Sequence, residues 1–290
     1  MLYKTFTLVG VVLSATLATA RADTDPDTEA PPPTAAAPAG AGGVDQLTLP
    51  RGQLLLDAFA EISLSSGGVF KPFSLSPDLW YGATDNITVG LVHSGLGASG
   101  FIGAAGDALC LTGTSGNCGK LYPGVGLDVR YKLKTGDLAW AADGGLYARA
   151  LDPFQLALKV GIAGRWHSGQ LAVEFLPNLF LGLTNRSPAA PAVMPGMMAV
   201  VVATNQEVLS VPVTGLYSLT PQIALALQLG VVLPLENLGD GYAIPLSIGG
   251  HYQATDSLNL NLAFSLPRLV AKAPSGFDVR TLTLGGTYAF

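Results

Sequence analysis

No internal apolar run in this chain reaches the length of about 18 residues that reads as a membrane-spanning helix, although 49% of its 290 residues are hydrophobic. A bundle of transmembrane helices is therefore excluded. Charge is scarce as well. Asp, Glu, Lys and Arg make up 12% of the chain and leave a formal net charge of -5, which gives no footing for nucleic acid. There are three histidines and two cysteines. They form no zinc spacing, and no Gly-rich phosphate loop or nucleophile elbow occurs, so no metal or cofactor is expected. The chain is thus apolar for a water-soluble domain and too interrupted for a helical membrane protein. Strands in which only alternate residues face lipid resolve that conflict.

The first residues read as a secretory signal, 1–22. Lys4 supplies the positive charge, Phe6 to Leu17 the apolar stretch, and Ala18, Ala20 and Ala22 the small residues before cleavage. Residues 23–49 read as a disordered periplasmic linker, acidic from Asp23 to Glu29 and then rich in Pro and Ala. Residues 50–290 read as one domain. Cys110 and Cys118 lie close together in a Gly/Ser-rich stretch of an exported chain, so a disulfide closing a surface loop is expected.

Three segments of that domain are near copies: Tyr81-Gly-Ala-Thr-Asp-Asn-Ile, Tyr217-Ser-Leu-Thr-Pro-Gln-Ile and Tyr252-Gln-Ala-Thr-Asp-Ser-Leu. Looser versions start at Tyr131 and Trp166. Each places an aromatic just before turn chemistry, between alternating strands. Alternation between the turns predicts twelve strands, at 54–64, 73–83, 86–94, 122–134, 137–150, 154–167, 170–184, 207–219, 222–235, 242–254, 257–270 and 279–290. The aromatic-marked turns fall at one end, and the irregular connections 95–121, 185–206 and 236–241 fall at the other. By the same parity Tyr81, Tyr131, Trp166, Tyr217, Tyr252 and Tyr288 point outward at one level, as an interfacial girdle would.

Charges keep to the face opposite the leucines and valines. Asp57, Glu61, Asp78, Asp128, Asp143 and Glu174 share it with Arg130, Lys132, Arg149, Lys159 and Arg165. A closed sheet would put all eleven in its lumen, with the two signs nearly balanced. They line a narrow pore or pair into a network that fills the barrel. The pore is the favoured reading, and balance predicts weak selectivity. The apolar stretch from Ser187 to Ala203 folds inward, packs on the rim or extends the strands; its methionines read as gap-filling rather than metal-binding.

The chain closes on Thr281 to Phe290, with Leu282, Leu284, Tyr288 and Phe290 on one face and threonines on the other. Thr283, Gly285, Tyr288 and Phe290 resemble the C-terminal signal of Gram-negative outer-membrane β-barrels. That resemblance implies a closed antiparallel up-and-down transmembrane barrel with short periplasmic turns and longer outer loops. It also implies outer-membrane lipid and the barrel-assembly machinery as partners. It names no solute and no oligomeric state. Two functions compete: passive diffusion of small solutes, and a plugged barrel that binds or supports through its outer loops. Lipid hydrolysis is the third reading. It is weak because His93-Ser94 and His167-Ser168 would point to opposite faces of a strand, and His251 has no nearby Ser in sequence.

Overall fold

A computed structural model of the chain describes residues 47–65, 68–102, 108–116, 118, 122, 124–186, 205–236, 238–272 and 276–290. The signal-peptide reading and nearly all of the linker lie outside them. The strands are β1 (Leu54–Ser63), β2 (Phe73–Thr84), β3 (Ile87–Val92), β4 (Leu109–Cys110), β5 (Val125–Lys134), β6 (Leu138–Leu151) and β7 (Phe154–Ser168). They continue with β8 (Leu171–Phe175), β9 (Asn178–Gly182), β10 (Val208–Ser218), β11 (Ile223–Pro234), β12 (Ala243–Gln253), β13 (Leu258–Ala271) and β14 (Thr281–Ala289). All neighbours are antiparallel. β1 bonds β2 on one side and β14 on the other, from Leu55 opposite Ala289 to Ser63 opposite Thr281, and this closes the sheet. β8 and β9 each pair with both β7 and β10, so together they fill one place in the ring. The result is a closed twelve-stranded antiparallel barrel, with the short β4 laid beside β2.

The strands expected from alternation are all present, with two departures. The stretch expected as one strand at 170–184 is broken at Leu176-Pro177, because Pro177 has no N–H to give the ladder. The stretch expected to run to residue 94 stops at Val92, because His93 and Ser94 turn into the barrel.

The repeated turns have one chemistry. Thr84, Thr220 and Thr255 each accept two backbone N–H groups through Oγ1: from Asn86 and Ile87 at 3.2 and 3.0 Å, from Gln222 and Ile223 at 3.2 and 3.0 Å, and from Ser257 and Leu258 at 3.3 and 3.0 Å. A threonine three residues after the aromatic is therefore the device that closes each hairpin. The six girdle aromatics lie opposite the first residue of the neighbouring strand in every case: Tyr81 opposite Leu54, Tyr131 opposite Ile87, Trp166 opposite Leu138, Tyr217 opposite Leu171, Tyr252 opposite Ile223 and Tyr288 opposite Leu258. They form a ring at one level and are all 40–50% exposed.

Outside, the barrel is apolar. Leu127, Val129, Leu146, Val160, Leu225, Leu227, Leu229, Ile248, Leu262 and Leu284 are exposed on its wall. A continuous belt of this kind far exceeds the apolar patches of soluble monomers and is what a wall in hydrocarbon requires. Inside, small residues such as Ala141, Ala157, Ala163, Ala172, Ala224 and Ala263 alternate with polar ones. The large inward aromatics lie flat over glycines directly across the ladder. A Cβ on Gly90 would meet the Trp80 ring at 2.4 Å, one on Gly126 the Tyr147 ring at 2.1 Å, and one on Gly285 the Phe59 ring at 2.6 Å. Cys110 and Cys118 form a disulfide in the connection after β3.

Leu227→Arg places a guanidinium in the middle of the apolar belt and is expected to destabilise the inserted barrel by about 2–4 kcal/mol. Urea titration of folding into lipid vesicles measures it, and an unchanged midpoint would contradict a lipid-facing Leu227.

Candidate functional site: the barrel lumen

The connection after β3 enters the lumen. Ser94 caps a short helix, α1 (Gly95–Ser99), accepting the Gly97 N–H at 2.8 Å, and Gly100 ends it at φ +82°. Asp78 on β2 holds the entry: its carboxylate accepts the backbone N–H of His93 at 2.7 Å and of Ser94 at 2.8 Å, and the Ser94 hydroxyl. The far walls hold the exit. Lys159 on β7 donates to the Gly97 carbonyl at 3.3 Å, and Asn178 on β9 donates to the Ser99 carbonyl at 2.8 Å. Gln228 on β11 donates to the Gly100 carbonyl at 2.9 Å and accepts the Ile102 N–H at 3.0 Å. Phe101 is buried against Gly230, and Gly100 against Pro212. Residues 93–102 therefore span the barrel from β2 to β11. The break at Pro177 is part of this design, because Asn178 follows it directly and also donates to the Leu176 carbonyl at 2.8 Å.

The charges gather on one wall. Lys159 Nζ lies 2.8 Å from Asp128 and 2.7 Å from Asp143; Arg130 Nε lies 3.3 Å from Asp143. Tyr147 donates to Asp128 at 2.9 Å, and the Arg130 guanidinium sits 4.6 Å above the Trp80 ring. The Lys159, Asp128 and Asp143 side chains are at most 1% exposed. Each charge is compensated and hydrogen-bonded, which is the condition under which burial is tolerated. Arg165 and Glu174 are 3.9 Å apart, and Glu61 accepts the Ser74 hydroxyl at 3.3 Å. The remaining two basic residues serve the rims. Lys132 bonds the Asp85 carbonyl at the turn end, and Arg149 reaches the Gln206 carbonyl at 3.0 Å at the other.

The opposite wall, β10 to β14, is neutral. Thr214, Gln228, Ser247, Asn259, Asn261, Thr283 and Thr287 line a lumen cavity of about 220 Å³. Across it stand α1, Leu49, Phe59, Asp57 and Asp78. Asn259 Oδ1 and Thr283 Oγ1 are buried without a protein partner. Leu47 to Pro50 lie in the turn-end mouth. The Leu49 N–H bonds Thr88 Oγ1 at 2.7 Å, and a Cβ on Gly82 would stand 1.9 Å from the Pro50 carbonyl oxygen.

Nine of the eleven predicted lumen charges thus face the interior between the rims, and four of them meet in one network. The inserted segment and its latches, Asn178 and Gln228, were missed. An irregular Gly/Ser stretch carries no sign of which way it folds, and only the inward parity of Gln228 hinted at a role. The apolar stretch 187–203, a candidate for inward folding, lies outside the described residues. The hydrolase candidates are dispersed. Ser94 bonds Asp78, while His93 Nδ1 faces the Pro77 carbonyl at 2.5 Å; His167 sits at the turn end opposite Ala172, and His251 faces the lumen between Ala224 and Asn261. At the C-terminus the Phe290 N–H bonds the Leu54 carbonyl at 2.9 Å, and its ring meets Tyr288 edge-on at 4.7 Å.

Lys159→Met leaves Asp128 facing Asp143 with one cation fewer. The expected cost is about 3–5 kcal/mol of barrel stability, read from the urea midpoint, with a smaller loss when Asp128→Asn is added.

No protein-family model matches the chain, and no curated protein does. Among solved structures, the NanC porin superposes with a TM-score of 0.52 at 9% identity, covering 80% of this chain and 98% of that one. An outer-membrane channel from Pseudomonas putida F1 aligns at a TM-score of 0.49 and 14% identity, covering 84% and 97%. The KdgM porin aligns at 0.47 and 8%, covering 81% and 99%. The chain has the closed β-barrel fold of an outer-membrane porin.

Proposed function

We propose that this protein resides in the outer membrane and is a narrow channel for passive diffusion of small solutes. The observation that carries the reading is the cavity between the inserted segment and the neutral wall, lined by side chains of β1, β2, β3, β5, β8 and β10 to β14. A solute moving there meets hydroxyl and amide groups on one side. Across it stand α1, Asp57, Glu61 and Asp78, and of the compensated network Asp128–Lys159–Asp143–Arg130 only Arg130 reaches the cavity. Charge does not encircle the path, so strong selectivity for one sign is not expected. Export by the signal 1–22, delivery by the barrel-assembly machinery and a role for the Cys110–Cys118 loop outside the membrane complete the reading.

One observation favours a second function. Asp78, Lys159, Asn178 and Gln228 hold residues 93–102 across the lumen at once, which suits a plugged barrel acting through its outer surface.

Conductance in planar bilayers separates the two. Discrete steps are expected from the refolded protein, and Gln228→Leu combined with Asn178→Leu, which frees the far end of the insert, should enlarge them. Silence from protein whose heat-shifted gel mobility proves it folded would replace the channel with the plugged barrel. Deleting Phe290 should reduce insertion in cells far more than refolding in vitro. Equal loss in both assays would show a structural residue rather than an assembly signal.

A further inference from the structure

The eleven charges that parity assigns to the inner face nearly cancel in number but not in position. Lys159 is buried behind α1 with two carboxylates, Arg130 is bound to Asp143 and stacked on Trp80, and Arg165 is set against Glu174. Lys132 and Arg149 are engaged at the rims. The charged side chains that line the cavity are Asp57, Glu61, Asp78 and Glu174 against Arg130, with His251 beside them.

Two of these carboxylates stand in direct register. Asp57 on β1 is opposite Asp78 on β2, and no salt bridge to either is formed among the described residues. Like charges directly opposite in a ladder are destabilising. The same row continues around the barrel: Asp57 is opposite Thr287 on β14, and Thr287 is opposite Asn259 on β13. All four residues line the cavity. Asn259 is 6% exposed, and its Oδ1 has no protein partner. Two carboxylates, a hydroxyl and an amide oxygen thus lie along one rung beside the cavity, with Asp57 also hydrogen-bonded by Thr287 and Trp80 and Asp78 by His93 and Ser94. Oxygen donors of this kind replace the hydration shell of a hard cation.

We infer that the rung Asn259–Thr287–Asp57–Asp78 is a transit site for a monovalent cation, and that it biases the channel toward cations over anions. The inference deepens the channel reading and rests on it for passage, but occupancy of the rung can be measured without passage. The ion relieves the repulsion between Asp57 and Asp78. The wider lumen stays weakly selective because Asp128 and Asp143 are offset by Lys159 and Arg130.

Two measurements test it. The first is the reversal potential of the refolded barrel under a KCl gradient. Potassium should be preferred over chloride, and Asp57→Asn should lower the permeability ratio by about twofold or more. Asn259→Leu should lower it less, and Asp256→Asn on an exposed turn should leave it unchanged. A wild-type preference for chloride, or a ratio indifferent to Asp57→Asn, would overturn the inference. The second measurement needs no conductance. In a Trp140→Phe, Trp166→Phe background, Trp80 is the sole indole and lies against Asp57. Thallous ion should quench it more strongly than iodide does, and Asp57→Asn should remove the difference. A silent barrel with that quenching intact would sink the channel and keep the site. A conducting barrel without it would sink the site and keep the channel.

Discussion

Closure of the sheet between β1 and β14 is the constraint on which everything else rests. In hydrocarbon no water is present to take an unpaired backbone N–H or C=O, so an open edge is not permitted. The chain meets this with an unbroken ladder from Leu55–Ala289 to Ser63–Thr281 and a last bond from the Phe290 N–H to the Leu54 carbonyl. Closure fixes which face of every strand is lumen and which is lipid. It therefore fixes the consequence of each residue's parity, and a slip of one residue would turn every leucine inward. The level ring of six aromatics is a product of the same register.

The interior is organised by volume as much as by charge. Phe59, Trp80 and Tyr147 are large aromatics buried inside the barrel. Each lies over a glycine directly across the ladder, at Gly285, Gly90 and Gly126. Phe59 and Trp80 also line the cavity. Asp78 ties these features together. It accepts three hydrogen bonds at the mouth of the insert while its neighbour Trp80 carries Arg130. A change at β2 would therefore be felt by the insert and by the charge network together.

Period-two alternation makes the wall legible in the sequence. The Tyr-x-x-Thr repeats located the turns because threonine caps each of them by the same pair of bonds. What alternation does not encode is any departure from it. The fold of His93 to Ile102 depends on distant partners, Lys159, Asn178 and Gln228, which a local pattern cannot supply. Pro177 signals the break before Asn178, but the flanking residues still alternate and mask it. Parity assigns eleven charges to the inner face, of which nine lie between the rims, but their pairing depends on register between strands, and one-dimensional spacing leaves that open.

Counting lumen charges is consequently a poor guide to how the lumen treats ions. Asp128 and Asp143 are as acidic in sequence as Asp57 and Asp78, yet Lys159 and Arg130 stand within 2.7 to 3.3 Å of them. At such distances in a low-dielectric wall the fields cancel locally, and a passing ion meets only the residual dipole. Asp57 and Asp78 face each other across one ladder rung with no comparable cation between them. Their field reaches the cavity. The same composition would give an electrically neutral path if Lys159 stood between β1 and β2 instead of behind α1. On the channel reading proposed above, selectivity is therefore a property of strand register, and it would change if a cation were moved one strand around the ring without any change in net charge.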